Sequence, residues 1–216
     1  MIARALLAAG VLLGVLQGKT DEGAYATLCT NVIAALGDGK RLTSPAFTNQ
    51  MHAYRSDVDI RVRSLAELAL SDALLTMCDE LPDFEAYEEG CRSCSNVLFS
   101  AELPVRSWQK SVASLFYAWA LRMDGKRDES LAVCRTALST HLASPTMDVE
   151  RAVWSAMSRE TGLPEMSITN SLKLAAALSV PAERRPAEWN TYTNGLPPQA
   201  MCLLHERPMV GKEGDW

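Results

Sequence analysis

Between Ser111 and Ser144 the chain reads SVASLFYAWALRMDGKRDESLAVCRTALSTHLAS, and the spacing of its apolar residues leaves little choice of fold. Val112, Leu115, Phe116 and Trp119 recur at i, i+3, i+4 and i+7, which lines one face of a 3.6-residue helix and does not alternate as a strand must. Asp124-Gly125 interrupts the run, and glycine readily takes the positive φ with which helices commonly end. Asp128 and Glu129 then place negative charge where a second helix would present its free N–H groups and the positive end of its dipole. Leu131, Cys134, Ala137 and Leu138 repeat at three and four residues, so the stretch predicts two antiparallel helices with facing stripes. Two helices alone have too little core, and further helices must pack on them.

Ala113, Tyr117, Ala118, Ala120, Gly125, Asp128, Glu129, Ala137 and Leu138 fall in the order and spacing of a tetratricopeptide repeat, and this segment resembles one unit of that family. Three positions depart from the pattern: Ser130 stands where alanine is usual, Arg127 replaces an aromatic residue, and Leu142 occupies the usual proline position, with Pro145 following. The resemblance implies stacked hairpins that present a concave face to peptides or other proteins. On that geometry Ser114, Tyr117, Leu121 and Arg122 of the central unit, and Arg151, Ser155 and Arg159 of the next, are the groove residues. The family's carboxylate-binding pattern of lysines and asparagines is not evident, so specificity for a peptide terminus does not carry over. Pentatricopeptide repeats, which bind RNA in organelles, are the related alternative.

Charge bears on that alternative. The 216 residues carry a net charge of −5, with a sequence pI near 5.3, the wrong sign for a chain whose main partner is a phosphate backbone. A hydrophobic content of 48% allows a sizeable core. No apolar run approaches the roughly 20 residues that a membrane-crossing helix needs.

At the start of the chain, MIARALLAAGVLLGVL combines an early Arg4 with an apolar run, and two readings use the same residues. Residues 1–17 fit a secretory signal peptide, although small residues suited to cleavage come only at Ala24 and Ala26, beyond Asp21 and Glu22. They equally fit a first helix, Ala3 to Gln17, paired with a second from Glu22 to Leu36, because Gly18-Lys19-Thr20-Asp21-Glu22 parallels Gly125-Lys126-Arg127-Asp128-Glu129. A mitochondrial presequence is a third reading. Further on, Pro45, Phe47, Met51 and Tyr54 predict a short helix. Ser64-x-x-Glu67 has capping-box spacing ahead of a Leu-rich run to Leu81, a helix apolar around much of its girth and therefore central. Pro82-Asp83 precedes a helix from Phe84 to Ser100. After the central hairpin, Val149, Ala152, Val153, Ala156 and Met157 predict one helix ending at Gly162, and Pro164 opens another through Ile168, Leu172 and Ala175. From Pro181 the character changes, with five of the ten prolines, yet Trp189, Tyr192 and Leu203-Leu204 argue for a segment that packs back on the last helices.

Reactive side chains are few. Cys29, Cys78, Cys91, Cys94, Cys134 and Cys202 would suit three disulfides in an exported chain; otherwise Cys29 and Cys134 read as core residues. Cys91-x-x-Cys94 with Cys202-x-x-His205 offers four ligands of the types zinc takes, but the first pair falls within a helix and about a hundred residues separate the two, so no metal is assigned. His52, His141 and His205 have no nucleophile context and read as surface residues, while Glu88-Glu89 and Glu183-Arg184-Arg185 read as solvated faces. No phosphate loop, metalloprotease helix or calcium loop occurs.

The sequence therefore predicts an all-α chain: residues 1–180 form stacked antiparallel helix-turn-helix repeats in a short superhelix, and residues 181–216 form a C-terminal cap or tail. The expected role is a non-enzymatic scaffold for a protein or peptide partner inside the cell, in cytoplasm or mitochondrion, with no catalytic residue, metal or cofactor. The alternatives are an organellar RNA-binding repeat and a secreted, disulfide-stapled helical protein.

Overall fold

The computed structural model describes residues 21–80, 83–103, 105–141, 149, 150, 152 and 167–206, with the side chains of residues 79, 80, 203, 205 and 206 outside that description. The expectations for residues 1–17, for most of 145–164, and for Arg151, Ser155 and Arg159 fall outside the described residues. Within them every regular element is helical: α1 (Glu22–Leu36), α2 (Gly39–Leu42), α3 (Pro45–Tyr54), α4 (Ile60–Glu80), α5 (Phe84–Phe99), α6 (Ser107–Met123), α7 (Arg127–Thr140), α8 (Ile168–Ser179), a 3-10 turn (Ala182–Arg184), α9 (Arg185–Thr193) and α10 (Pro198–Glu206).

Short polar side chains set the starts of these helices, since each must satisfy N–H groups that have no partner in the helix itself. Asp21 accepts from the Ala24 N–H at 2.7 Å, Ser44 from Phe47, Asp83 from Glu85 and Ala86, and Ser167 from Asn170. Pro45 follows its cap in the first turn, where no N–H is required. At α4 the structure corrects the sequence reading. The helix begins at Ile60, and Asp59 accepts from the Arg61 N–H at 2.9 Å. Ser64 and Glu67 lie inside the helix and are buried, so they cap nothing.

Helix α4 is the centre of the molecule. Leu65, Leu68, Ala69, Leu70 and Ala73 are wholly buried, and the helix packs against α1, α2, α3, α5 and α6. Its closest partner is α5, where Gly90 lets the two backbones approach: a Cβ there would stand 3.0 Å from Leu75 Cγ and 3.3 Å from Leu74 Cβ.

The central hairpin forms as its sequence implies. Gly125 has φ +73°, and the Lys126 N–H bonds Leu121 O at 2.8 Å while the Gly125 N–H bonds Arg122 O at 3.1 Å, the paired closure of a Schellman end. Helix α6 also touches α4 and α8. Ser130, the departure from alanine, has its reason here. Its buried hydroxyl lies 2.6 Å from Ala118 O on α6 and 2.7 Å from Ser179 Oγ on α8, so a small polar residue ties three helices where they pass closely. Beyond Pro181 the chain packs back through buried Tyr192, Leu196, Ala200 and Leu204. Arg135 of α7 donates to Tyr192 Oη at 2.5 Å and to Glu188, and Arg184 pairs with Asp128, so the Glu183-Arg184-Arg185 cluster is engaged and not simply solvated.

Candidate functional site

Helix α5 buries Ala86, Gly90, Ser93, Cys94, Val97 and Leu98 against its neighbours, a stripe at three- and four-residue spacing. What that stripe leaves outward is unusual for a solvated face, because Phe84 is 73% exposed and Phe99 66% exposed. Between the start of α5 and the end of α6 lies an open cleft of about 530 Å³, lined by Phe84, Tyr87, Glu88, Cys91, Arg92, Tyr117, Leu121, Asp124 and Lys126. The antiparallel pairing of the two helices creates it. Tyr87 anchors one wall by donating from its hydroxyl to Ala120 O at 3.1 Å, and Phe99 meets Tyr117 edge to face with ring centroids 6.5 Å apart, which continues the aromatic surface along α5.

The electrostatics of the cleft are balanced. Glu88 and Asp124 oppose Arg92 and Lys126, and Lys126 Nζ lies 2.5 Å from Asp124 Oδ2. Burial pushes the Cys91 thiol up from its ordinary range, so it stays protonated at neutral pH, with the Tyr87 hydroxyl beside it as the main opposing influence. Tyr87 and Tyr117 are likewise raised by burial. A protonated thiol among tyrosines, with no imidazole in the lining, is not an activated nucleophile. The cleft can shelter an apolar side chain between its rings, with charges of both signs at the rim.

Of the residues proposed from sequence, Tyr117 and Leu121 meet in this cleft. Ser114 does not line it; it is 2% exposed and belongs to the core. Arg122 holds its guanidinium 4.0 Å above the Trp119 ring, outside the lining. The repeat geometry puts a groove only on the first helix of each hairpin, so the α5 wall of the cleft is not among the residues it names. A signal was present: Phe84 and Phe99 fall off the buried spacing of their own helix.

Other polar clusters are structural. Arg55, at the end of α3, donates to both Glu67 oxygens at 3.2 Å, to Ser93 Oγ at 2.8 Å and to Glu89, while Asn96 donates to Glu67 at 3.3 Å. Glu89 is thus half of an ion pair, with His52 Nδ1 3.8 Å away, and not a solvated charge. None of the six cysteines is in a disulfide; Cys94 and Cys134 are buried and Cys202 is exposed. Among the described residues no three His, Cys, Asp or Glu side chains gather as a metal site would require, and no helix is long and apolar enough to cross a membrane. No family model matches the chain, and neither a curated protein nor a solved structure does.

Proposed function

We propose that this chain is a non-enzymatic helical scaffold, built of stacked hairpins resembling tetratricopeptide units, that holds a peptide segment of a partner protein across the α5–α6 surface. The observation that carries the reading is the cleft bounded by Phe84, Tyr87, Tyr117 and Leu121, with an exposed phenylalanine at its edge. Large aromatic side chains around a concavity are the usual anchors of protein recognition. The contact of α6 both with its hairpin partner α7 and with the preceding α4 is the neighbour pattern that stacked hairpins would have. Balanced rim charges favour a peptide over a phosphate backbone.

The test is a selection of peptides from a random library on the full chain. Selected peptides should share an aromatic or large aliphatic anchor, and Phe84→Asp should weaken their binding about thirtyfold, the loss of one anchor contact. Val58→Asp, which replaces another exposed apolar side chain, serves as the control and should leave binding unchanged. Failure to select any peptide, or equal binding by the two variants, sinks the proposal.

A further inference from the structure

The outward face of α5 has an internal symmetry that the cleft alone does not explain. Phe84, Glu88, Cys91, Arg92, Ser95 and Phe99 are spaced by four, three, one, three and four residues, an order that reads the same from either end. At 100° per residue they occupy one strip roughly 100° wide. A phenylalanine stands at each end, and between them an acidic and a basic residue lie one helical turn apart. Among the described residues Glu88 and Arg92 have no ion-pair partner, and both are exposed.

We infer that the partner on this face is a second copy of the chain, docked by antiparallel pairing of the two α5 helices about a two-fold axis near Cys91. The inference rests on the reading of the α5–α6 surface as a protein-binding site and names one occupant for it. A two-fold axis makes each contact occur twice, so a surface that docks on itself must be self-complementary. Here the midpoint of Glu88 and Arg92 falls at residue 90, and that of Phe84 and Phe99 between residues 91 and 92. At a rise of 1.5 Å per residue those midpoints differ by about 2 Å, within the reach of such side chains. One axis therefore sets Glu88 against the partner's Arg92, Arg92 against the partner's Glu88, and Phe84 beside the partner's Phe99. The partner's Phe99 then fills the cleft between Phe84, Tyr87 and Leu121, and Phe99 is returned to the partner's cleft in the same way. A parallel arrangement would instead put Glu88 against Glu88 and Arg92 against Arg92, so charge selects the antiparallel one. Phenylalanine presents about 150–250 Å², and with 73% and 66% of Phe84 and Phe99 exposed these two side chains alone offer a substantial part of the roughly 800 Å² per partner of a standard interface.

Sedimentation equilibrium of the full chain tests this. The chain should sediment at twice its monomer mass of 23.6 kDa at micromolar concentrations. Glu88→Arg and Arg92→Glu should each weaken association at least about tenfold, because each sets two pairs of like charges face to face. The double variant E88R/R92E should recover association to within about threefold of the parent, since the charges are then exchanged and still complementary. Phe99→Asp should abolish the dimer while leaving the helical circular dichroism intact. A chain that is monomeric at about 100 µM, single charge variants that associate like the parent, or a double variant that fails to recover overturns the inference. The peptide selection described above is read on the monomeric F99D variant. Peptide binding there with a monomeric parent would refute the second copy alone, whereas a parent dimer with no peptide binding would refute only the peptide-scaffold reading.

Discussion

The two halves of the described core are joined by different chemistry. Around α4 and α5 the interior combines large side chains, Leu65, Leu68 and Leu70, with small ones, and it holds an ionic knot in which Arg55 is shared between Glu67 and Glu89. Around α6, α7 and α8 leucines such as Leu115, Leu131 and Leu172 are joined by a cluster of alanines, Ala113, Ala118, Ala137, Ala175 and Ala176, and the polar contacts between elements include neutral hydroxyls, Ser130 with Ser179 and Ser111 with His141 O at 2.8 Å. Leucine layers set helices apart and reward burial of area; alanine layers bring backbones close, where a hydroxyl can reach the carbonyl of a neighbouring helix. The ionic knot makes the first region sensitive to lost charge, and the alanine cluster makes the second sensitive to added volume.

Denaturant unfolding can break or sharpen this contrast. The largest effect should come from Leu65→Ala, a wholly buried side chain of α4, at about 3–4 kcal/mol through lost transfer energy and the cavity left behind. Next is Glu67→Ala, which deprives the half-buried Arg55 of its two-point partner and should cost about 2 kcal/mol, with Glu89 and Ser93 still holding the guanidinium. Gly125→Ala should cost about 1 kcal/mol: the new methyl meets nothing within 4 Å, so the whole cost is the positive φ, and Gly125→Asn should cost less. Ser130→Ala should be near or below 1 kcal/mol, and Ser130→Val, which adds volume between close helices, should cost more than Ser130→Ala. If Ser130→Ala equals Glu67→Ala, or Ser130→Val is milder than Ser130→Ala, the distinction between the two cores fails.

A smaller effect appears only in alkali. Burial pushes the Cys134 thiol from 9.0 up to about 12, so between those values the unfolded chain loses the proton and the folded chain keeps it. The folded state then binds more protons, and stability must fall as pH rises above about 9, by up to about 1.4 kcal/mol per pH unit for this group. Cys134→Ala should flatten that slope, as read from unfolding midpoints at pH 8 to 10. An unchanged slope would show that the thiol does not sense this burial.

Much of the fold is legible locally. Asp21, Ser44-Pro45, Asp83 and Gly125 announce helix ends because capping acts over three or four residues. Ser64-x-x-Glu67 misleads for the opposite reason: its carboxylate is claimed by Arg55, twelve residues upstream on another helix, and spacing within one helix carries no trace of that. The site divides the same way. Tyr117 and Leu121 could be named from the hairpin, but the opposite wall depends on which face of α5 the central helix covers, a property of packing between helices. Counting along α6 puts Ser114 on the groove, but helices α4, α5, α7 and α8 all pack on α6 and Ser114 is buried among them.

The serine contact between α7 and α8 has a further consequence when its hydrogens are counted. Ser130 Oγ lies within bonding reach of Ala118 O, Ser179 Oγ of Ala175 O at 2.7 Å, and the two hydroxyls of each other. Three contacts have only two protons to fill them, so one is always vacant, and turning the two hydroxyls moves the vacancy from place to place. The junction has several nearly equal hydrogen arrangements in one fixed set of heavy atoms. Such a junction yields its energy in unequal shares: removing the first hydroxyl takes away a contact that was empty part of the time, and the serine left behind still has a carbonyl to receive its proton.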